Sequence, residues 1–229
     1  MDAHVTNATP DKSQPTLSRE RVLTEALALI DEQGFVGFTM RDLAARLACT
    51  DMALYHYVRN RDELLEGVVE LILGRIEILQ PGQGLEWDQA LFDLHRSLWA
   101  VFRAHPQALP ALLARPLTLP AMVRCFTGAR AVLLGSGFDE EAAKQLLDTL
   151  SAYTLGYANL VCGGYLSIDK TQPQAPPPRT RSRKRRGTGC PGLEGEPDWD
   201  GFERGFETGL AAVLRGLREE AQERRERSR

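Results

Sequence analysis

The chain has 229 residues, 43% of them hydrophobic and 26% charged, with a formal net charge of −3. That supports one or two domains with a substantial core, and excludes a global electrostatic attraction to nucleic acid or membrane. Cys49, Cys125, Cys162 and Cys190 lack the spacing of a zinc site or a disulfide framework, and no apolar run is long enough to span a bilayer. With no segment resembling a signal peptide, a reduced cytoplasm is the expected location, with no cofactor, metal or membrane partner.

The first seventeen residues are polar and mixed, with Pro10 and Pro15, and read as a disordered arm. Ser18 is placed to cap a helix whose apolar stripe is Val22, Leu23, Ala26, Leu29 and Ile30, with Gly34 as its left-handed terminator. Thr39 caps a second, short helix in which Met40, Leu43, Ala44 and Leu47 repeat at i, i+3, i+4 and i+7. Ala48 and Cys49 make a compact turn, and Thr50 caps a third helix that aims Ala53, Leu54 and Val58 at the core. Its opposite face carries Thr50, Asp51, Met52, Tyr55, His56 and Tyr57, a set that a merely solvated face does not need. Asn60 with Glu63 is a capping box for a fourth helix.

Two short apolar-periodic segments joined by a tight turn write a helix-turn-helix, whose second helix enters the major groove with its N-terminal residues at base edges. Thr50, Asp51 and Met52 occupy those positions, and Asp51 either accepts from a cytosine amino group or tunes orientation. Acidic residues outnumber basic ones between Ser18 and Glu77, so positive charge is local, at Arg41, Arg46, Arg59 and Arg61.

After Gly84 the pattern is helical almost throughout. Trp87, Leu91, Leu94, Leu98, Val101 and Phe102 share one stripe, and Phe92, His95, Trp99 and Phe102 a second, so this helix is expected to be buried on both sides up to Pro106. A short turn at 110–113, a helix at 119–134 stopped by Gly135-Ser136-Gly137, a long helix from near Asp139 to Leu166 and a last one from Phe202 to Leu217 follow, with a fraying end after Glu219. Residues 169–197, proline-dense with a basic run over 179–186, read as a mobile loop: a solvated insertion, or a second contact with DNA or an acidic partner.

Gly201, Gly205 and Gly209 recur every four residues along the last helix. Each interior glycine costs about 1 kcal/mol against alanine, which calls for a close neighbour. The expected neighbour is a second subunit, with Phe202, Gly205, Phe206, Gly209, Leu210 and Val213 meeting Leu146 and Leu150 in a four-helix interface; packing within one chain is the other reading. Phe92, His95, Trp99, Phe102, Met122, Phe126, Tyr153 and Tyr157 line either an ordinary core or an apolar pocket, with His95, His105, Tyr157 and Asn159 as orienting groups.

The N-terminal unit, closing on Leu54-Tyr55-His56-Tyr57-Val58-Arg59-Asn60-Arg61-Asp62-Glu63-Leu64-Leu65, resembles the TetR family of transcriptional regulators. The match is close over residues 18–75 and extends to the rest only in helical plan. The resemblance implies that Arg41 reaches a base or phosphate, that Tyr55 contacts a phosphate and that Arg61 clamps one. The family often has histidine where Tyr57 stands, with His56 one place earlier. It also favours the pocket reading, since its C-terminal domains commonly bind an effector.

The expected protein is all-α. A helix-turn-helix DNA-binding domain at 18–64 is linked by a fourth helix, 61–80, to a helical dimerisation and ligand-binding domain at 81–229. The expected function is a repressor that binds a palindromic operator as a homodimer and is released by a small-molecule effector. No Gly-rich phosphate loop, G-x-S-x-G or metal-ligand cluster supports an enzyme. A purely structural helical protein would leave the face around Tyr55 unexplained.

Overall fold

The computed structural model describes residues 17–76, 79, 86–113, 119–162 and 198–227. These residues are all-α, without a strand. The N-terminal arm before Leu17, the proline-rich segment with its basic run, and Cys190 lie outside them.

Four helices build the N-terminal unit: α1 Arg19–Gln33, α2 Met40–Arg46, α3 Asp51–Leu54 and α4 Arg61–Leu73. Each begins on a side-chain cap. Ser18 accepts from the Arg21 N–H, Thr39 from Asp42, Thr50 from Ala53 and Asn60 from Glu63. These bonds satisfy backbone donors that a helix start leaves open, at roughly 1 kcal/mol each. Glu63 reaches back to the Arg59 N–H at 2.7 Å, one residue earlier than a capping box requires. Between α2 and α3, Ala48 takes a positive φ of 52°, and the Cys49 N–H returns to the Ala44 carbonyl at 3.0 Å. The compact turn therefore costs an alanine the left-handed conformation. Val22, Ala26, Ile30, Leu43, Leu54, Leu64, Leu65 and Val68 close this core, each almost fully buried.

The second core is organised around α5, Trp87–Ala104, which packs against α7 (Pro120–Gly135), α8 (Glu140–Cys162), α9 (Trp199–Arg227) and α4. Burial of Leu91, His95, Trp99 and Phe102 follows from its two apolar stripes. Pro106 starts a single 3-10 turn, Pro106–Ala108, that runs into α6, Leu109–Leu113. Ala108 sits in the N-terminal core and Leu109 in the second, so this corner joins the two domains alongside α4.

One expectation needs correction here. The last helix does not fray after Glu219 but stays helical to Arg227. Its Glu- and Arg-rich end is made of good helix formers, and Arg218 ties it to Asp88 at 2.6 Å.

Two glycines of the ridge, Gly205 and Gly209, have close neighbours within the same chain. A Cβ on Gly205 would meet the hydroxyl of Tyr157, and one on Gly209 the hydroxyl of Tyr153, both from α8 of the same chain. Tyr153 donates to the Phe206 carbonyl and Tyr157 to the Phe202 carbonyl, each at 2.9 Å. Each glycine stands three residues after the carbonyl used, leaving the notch through which a tyrosine reaches the α9 backbone. Phe206 and Leu210 are 0% exposed, and Leu146 and Leu150 are equally interior. These four residues are filled in within the chain, while Gly205 is exposed and Gly209 half-buried on the same helix. Phe202 and Val213, half-buried, pack on the same core.

No helix among the described residues is long and apolar enough to cross a membrane.

Candidate functional site

At only four residues α3 cannot hold itself together, since helix nucleation is unfavourable. Its Thr50 cap and the buried Leu54 and Val58 anchor it to the domain. What this anchoring leaves outside is Thr50, Asp51, Met52, Tyr55 and His56, all exposed, with Met52 73% and Tyr55 46% accessible. Arg41, at the start of α2, is exposed as well. Six of the expected DNA-contacting residues are thus exposed on α2, on α3 with its cap and on the turn after it.

Two are not. Tyr57 turns inward, packs against the N-terminal core and donates its hydroxyl to the Leu17 carbonyl at 2.9 Å. Arg61 lies over the rings of Phe35 and Phe38, 5.2 and 5.7 Å from their centroids, with the Phe35 carbonyl 3.4 Å from one guanidinium nitrogen. Its charge serves the α1–α2 connection through cation–π contact. Arg46 is engaged within the domain. Glu25 and Glu32 of α1 hold it at 2.7 and 2.6 Å, and the same bond keeps the Glu32 carboxyl below its usual range. Of the four arginines expected to supply local charge, Arg41, Arg46 and Arg59 are exposed, Arg46 paired with Glu25 and Glu32 and Arg59 3.4 Å from Glu63.

The second domain encloses a cavity of about 30 Å³ lined by Leu94, His95, Leu98, Phe102, Met122, Cys125, Phe126, Ala129, Leu147, Ser151, Thr154 and Leu155. His95, Phe102, Met122 and Phe126 of the expected pocket are there. Trp99, Tyr153 and Tyr157 are not, because they surround Phe206 with centroids 5.2 to 5.5 Å from its ring, the first two stacked and Tyr157 edge-on, and form the α5–α8–α9 seam. Phe92 is half-buried against the core, and Asn159 points to solvent. His105 belongs to the domain junction. Its Nδ1 lies 2.8 Å from Asp31 of α1 and its Nε2 3.4 Å from an Arg75 nitrogen. Arginine offers no acceptor, so in the contact with Arg75 any hydrogen bond runs from the guanidinium to Nε2.

Inside the cavity the polar feature is a pair. His95 Nδ1 and Thr154 Oγ1 are 2.8 Å apart, and both residues are at most 2% exposed. Burial drives the His95 pKa down to about 4, so the ring is neutral at physiological pH. Burial likewise pushes the Cys125 thiol up, away from the reactive thiolate.

Residues 22–68 match the model of bacterial regulatory proteins of the tetR family, and residues 80–189 that of the tetracyclin repressor-like C-terminal domain. The chain belongs to the TetR family of transcriptional regulators. Among relatives, it is 28% identical over 151 residues to the HTH-type transcriptional repressor DrrR1 of Streptomyces coeruleorubidus, covering 63% of this chain and 54% of that one. It is 28% identical over 212 residues to the class D tetracycline repressor protein of Escherichia coli, covering 88% and 89%. Several other matches are shorter, and the chain spans 54 to 66% of the length of DrrR1 and two further curated relatives. Among solved structures, ActR of Streptomyces coelicolor in complex with actinorhodin superposes with a TM-score of 0.66 at 26% identity, covering 88% of this chain and 95% of that one.

Within this TetR-family chain, sequence reasoning missed Leu94, Leu98, Cys125, Ala129, Leu147, Ser151, Thr154 and Leu155 as cavity residues. One signal was available: Leu147, Ser151, Thr154 and Ala158 repeat at helical spacing, and two hydroxyls interrupt that apolar stripe.

A second interdomain tie was not legible at all. α7 starts after Leu119, which brings no capping side chain, and Glu70 of α4 accepts from the Ala121 N–H at 2.8 Å instead. The same carboxylate lies 3.7 Å from Arg124. The linker helix therefore caps the helix that carries Met122, Cys125, Phe126 and Ala129 into the cavity. Glu70→Ala should lower stability in urea unfolding by about 1 kcal/mol, and Glu70→Gln, which keeps an acceptor oxygen, by less. Equal losses would show that the cap is not the interaction removed.

Proposed function

We propose that this chain is a ligand-responsive DNA-binding regulator rather than an enzyme, that it represses transcription from a palindromic operator as a homodimer, and that a small-molecule effector releases it. The observation that carries this reading is the uncovered face of α3. Met52 and Tyr55 are large side chains that the chain places in solvent, at the groove-facing end of a rigidly capped helix-turn-helix. A recognition helix needs such a face, whereas a scaffold would bury or charge it. DrrR1, a relative, is a repressor by name, and ActR is known bound to actinorhodin, which supports repression and effector binding in turn. Two recognition helices related by two-fold symmetry suit a palindrome. The homodimer would use the outer faces of α8 and α9, where Ala152, Gly156, Leu160, Gly205, Ala211 and Ala212 are exposed.

The effector must favour a subunit arrangement with the wrong spacing between recognition helices, because equal affinity for both arrangements shifts nothing. Glu70 on α4, and the corner carrying His105 against Asp31, are the physical connections through which the cavity reaches the DNA-binding domain.

The test is a titration of the protein against DNA from upstream of its own coding region, at fixed salt with unrelated DNA as competitor. A protected palindromic site is the expected result, with Tyr55→Ala weakening it about tenfold or more. Arg61→Ala is the wrong probe, since it removes the Phe35–Phe38 packing along with the charge. If Tyr55→Ala and Met52→Ala both leave affinity unchanged while the fold persists, α3 is not the reading element.

A further inference from the structure

The effector cavity has a chemistry that its position does not require. Its wall is made of Leu94, Leu98, Phe102, Met122, Phe126 and Leu155 with their apolar neighbours, and its polarity is concentrated at His95, Thr154 and Ser151. We infer that this cavity takes an uncharged, mainly apolar molecule bearing one hydroxyl or carbonyl oxygen, and that the His95–Thr154 pair is the group that meets that oxygen. The inference rests on the effector reading above and narrows it to a ligand class.

Three observations support it. The first concerns charge. An ion brought among these side chains would be desolvated without a counter-charge, which costs several kcal/mol or more. The ionic groups that reach the wall electrostatically are Arg124 and Glu70, next to Cys125. They stand 3.7 Å from each other, and Glu70 also holds the Ala121 N–H, so neither is free to compensate an incoming ion.

The second concerns the anchor. With Nδ1 committed to Thr154 at 2.8 Å, the ring leaves Nε2 for a ligand. When Thr154 donates, Nε2 carries the proton and is a donor; when Nδ1–H donates to Thr154, Nε2 is an acceptor. A neutral imidazole can therefore serve either a carbonyl or a hydroxyl by exchanging tautomers. The depressed basicity of His95 keeps it in that neutral form throughout the physiological range.

The third concerns space. About 30 Å³ is far below the roughly 300–1,000 Å³ of an occupied small-molecule site. An occupant must part the wall, and the parts that can move are the half-buried Leu98, Phe126 and Leu155 and the flexible Met122. Met122 and Phe126 lie on α7, the helix whose start is held by Glu70, so a ligand of this class enters by displacing the element tied to the DNA-binding domain.

The experiment compares four probes of one shape by titration calorimetry at pH 7 with the full chain: naphthalene, 2-naphthol, 2-naphthoate and 2-naphthylmethylammonium. The neutral pair should bind, 2-naphthol at least tenfold more tightly than either ion. His95→Phe and the near-isosteric Thr154→Val should each weaken 2-naphthol several-fold more than naphthalene, with helix content and melting checked so that a folding defect is not read as lost affinity. Tighter binding of either ion, sensitive to Leu98→Trp blocking of the cavity, would overturn the ligand class while leaving the effector reading intact. Binding of 2-naphthol that both anchor variants leave unchanged would overturn the role of His95 and Thr154. Binding of none of the four would overturn both the ligand class and the cavity's role as effector site, and the operator titration would report separately on DNA recognition.

Discussion

Gly209→Ala is expected to destabilise the protein by about 1–3 kcal/mol, against a helix propensity that alone would favour alanine by about 1 kcal/mol. The added methyl would collide with the Tyr153 hydroxyl and come within 2.9 Å of its Cζ. Tyrosine cannot swing clear cheaply here. Its ring is stacked on Phe206 at 5.5 Å, and its hydroxyl is bonded to the Phe206 carbonyl at 2.9 Å. Phe206 in turn stacks on Trp99 at 5.2 Å, so displacing one ring disturbs the whole α5–α8–α9 seam. Gly216, on the same helix, has nothing within 4 Å of a would-be Cβ. Gly216→Ala should therefore stabilise by about 0.5–1 kcal/mol. Urea unfolding of the two variants beside the parent is the measurement. Stabilisation by both would mean that the glycines are not shaped by the tyrosines.

His95 should make stability fall with acidity well before most carboxylates titrate. Its pKa is 6.5 in an unfolded chain and about 4 in the fold, because burial opposes the charged ring. The native state therefore binds fewer protons than the unfolded state between those values. The contribution is present in full above pH 6.5 and is lost as pH falls towards 4, amounting to about 3 kcal/mol across the window. His95→Phe removes the titrating group, and Thr154 can then bond to its own helix one turn back. The difference in unfolding free energy between parent and variant should shift steadily in the variant's favour from pH 7 to 4.5. Parallel pH profiles would show that His95 reaches solvent or a counter-charge when protonated.

The helix-turn-helix was legible because local rules write it. Ser18, Thr39, Thr50 and Asn60 are caps by residue type, and Leu43, Leu47, Leu54 and Val58 repeat at helical spacing, so helix starts and buried faces follow from nearest neighbours along the chain. The same holds for α5, whose two stripes announce a helix surrounded by others. Tyr57 and Arg61 were read as DNA-facing because residue type is the same whether a side chain faces a phosphate or a carbonyl. What turns them away is Leu17, forty residues before Tyr57, and the pair Phe35 and Phe38 before Arg61.

The amino-acid sequence by itself determined the all-α plan, the capped helix-turn-helix and the need for something to sit against the Gly201–Gly205–Gly209 ridge. Periodicity and capping are properties of short stretches, and a glycine penalty is a property of one position. Only the tertiary structure decided that Gly205 and Gly209 meet Tyr157 and Tyr153 of the same chain, that Thr154 pairs with His95, and that Glu70 caps α7 across the domain junction. Those partners stand 45 to 59 residues apart in the chain. Their meeting depends on the packing of whole helices, which no local pattern specifies.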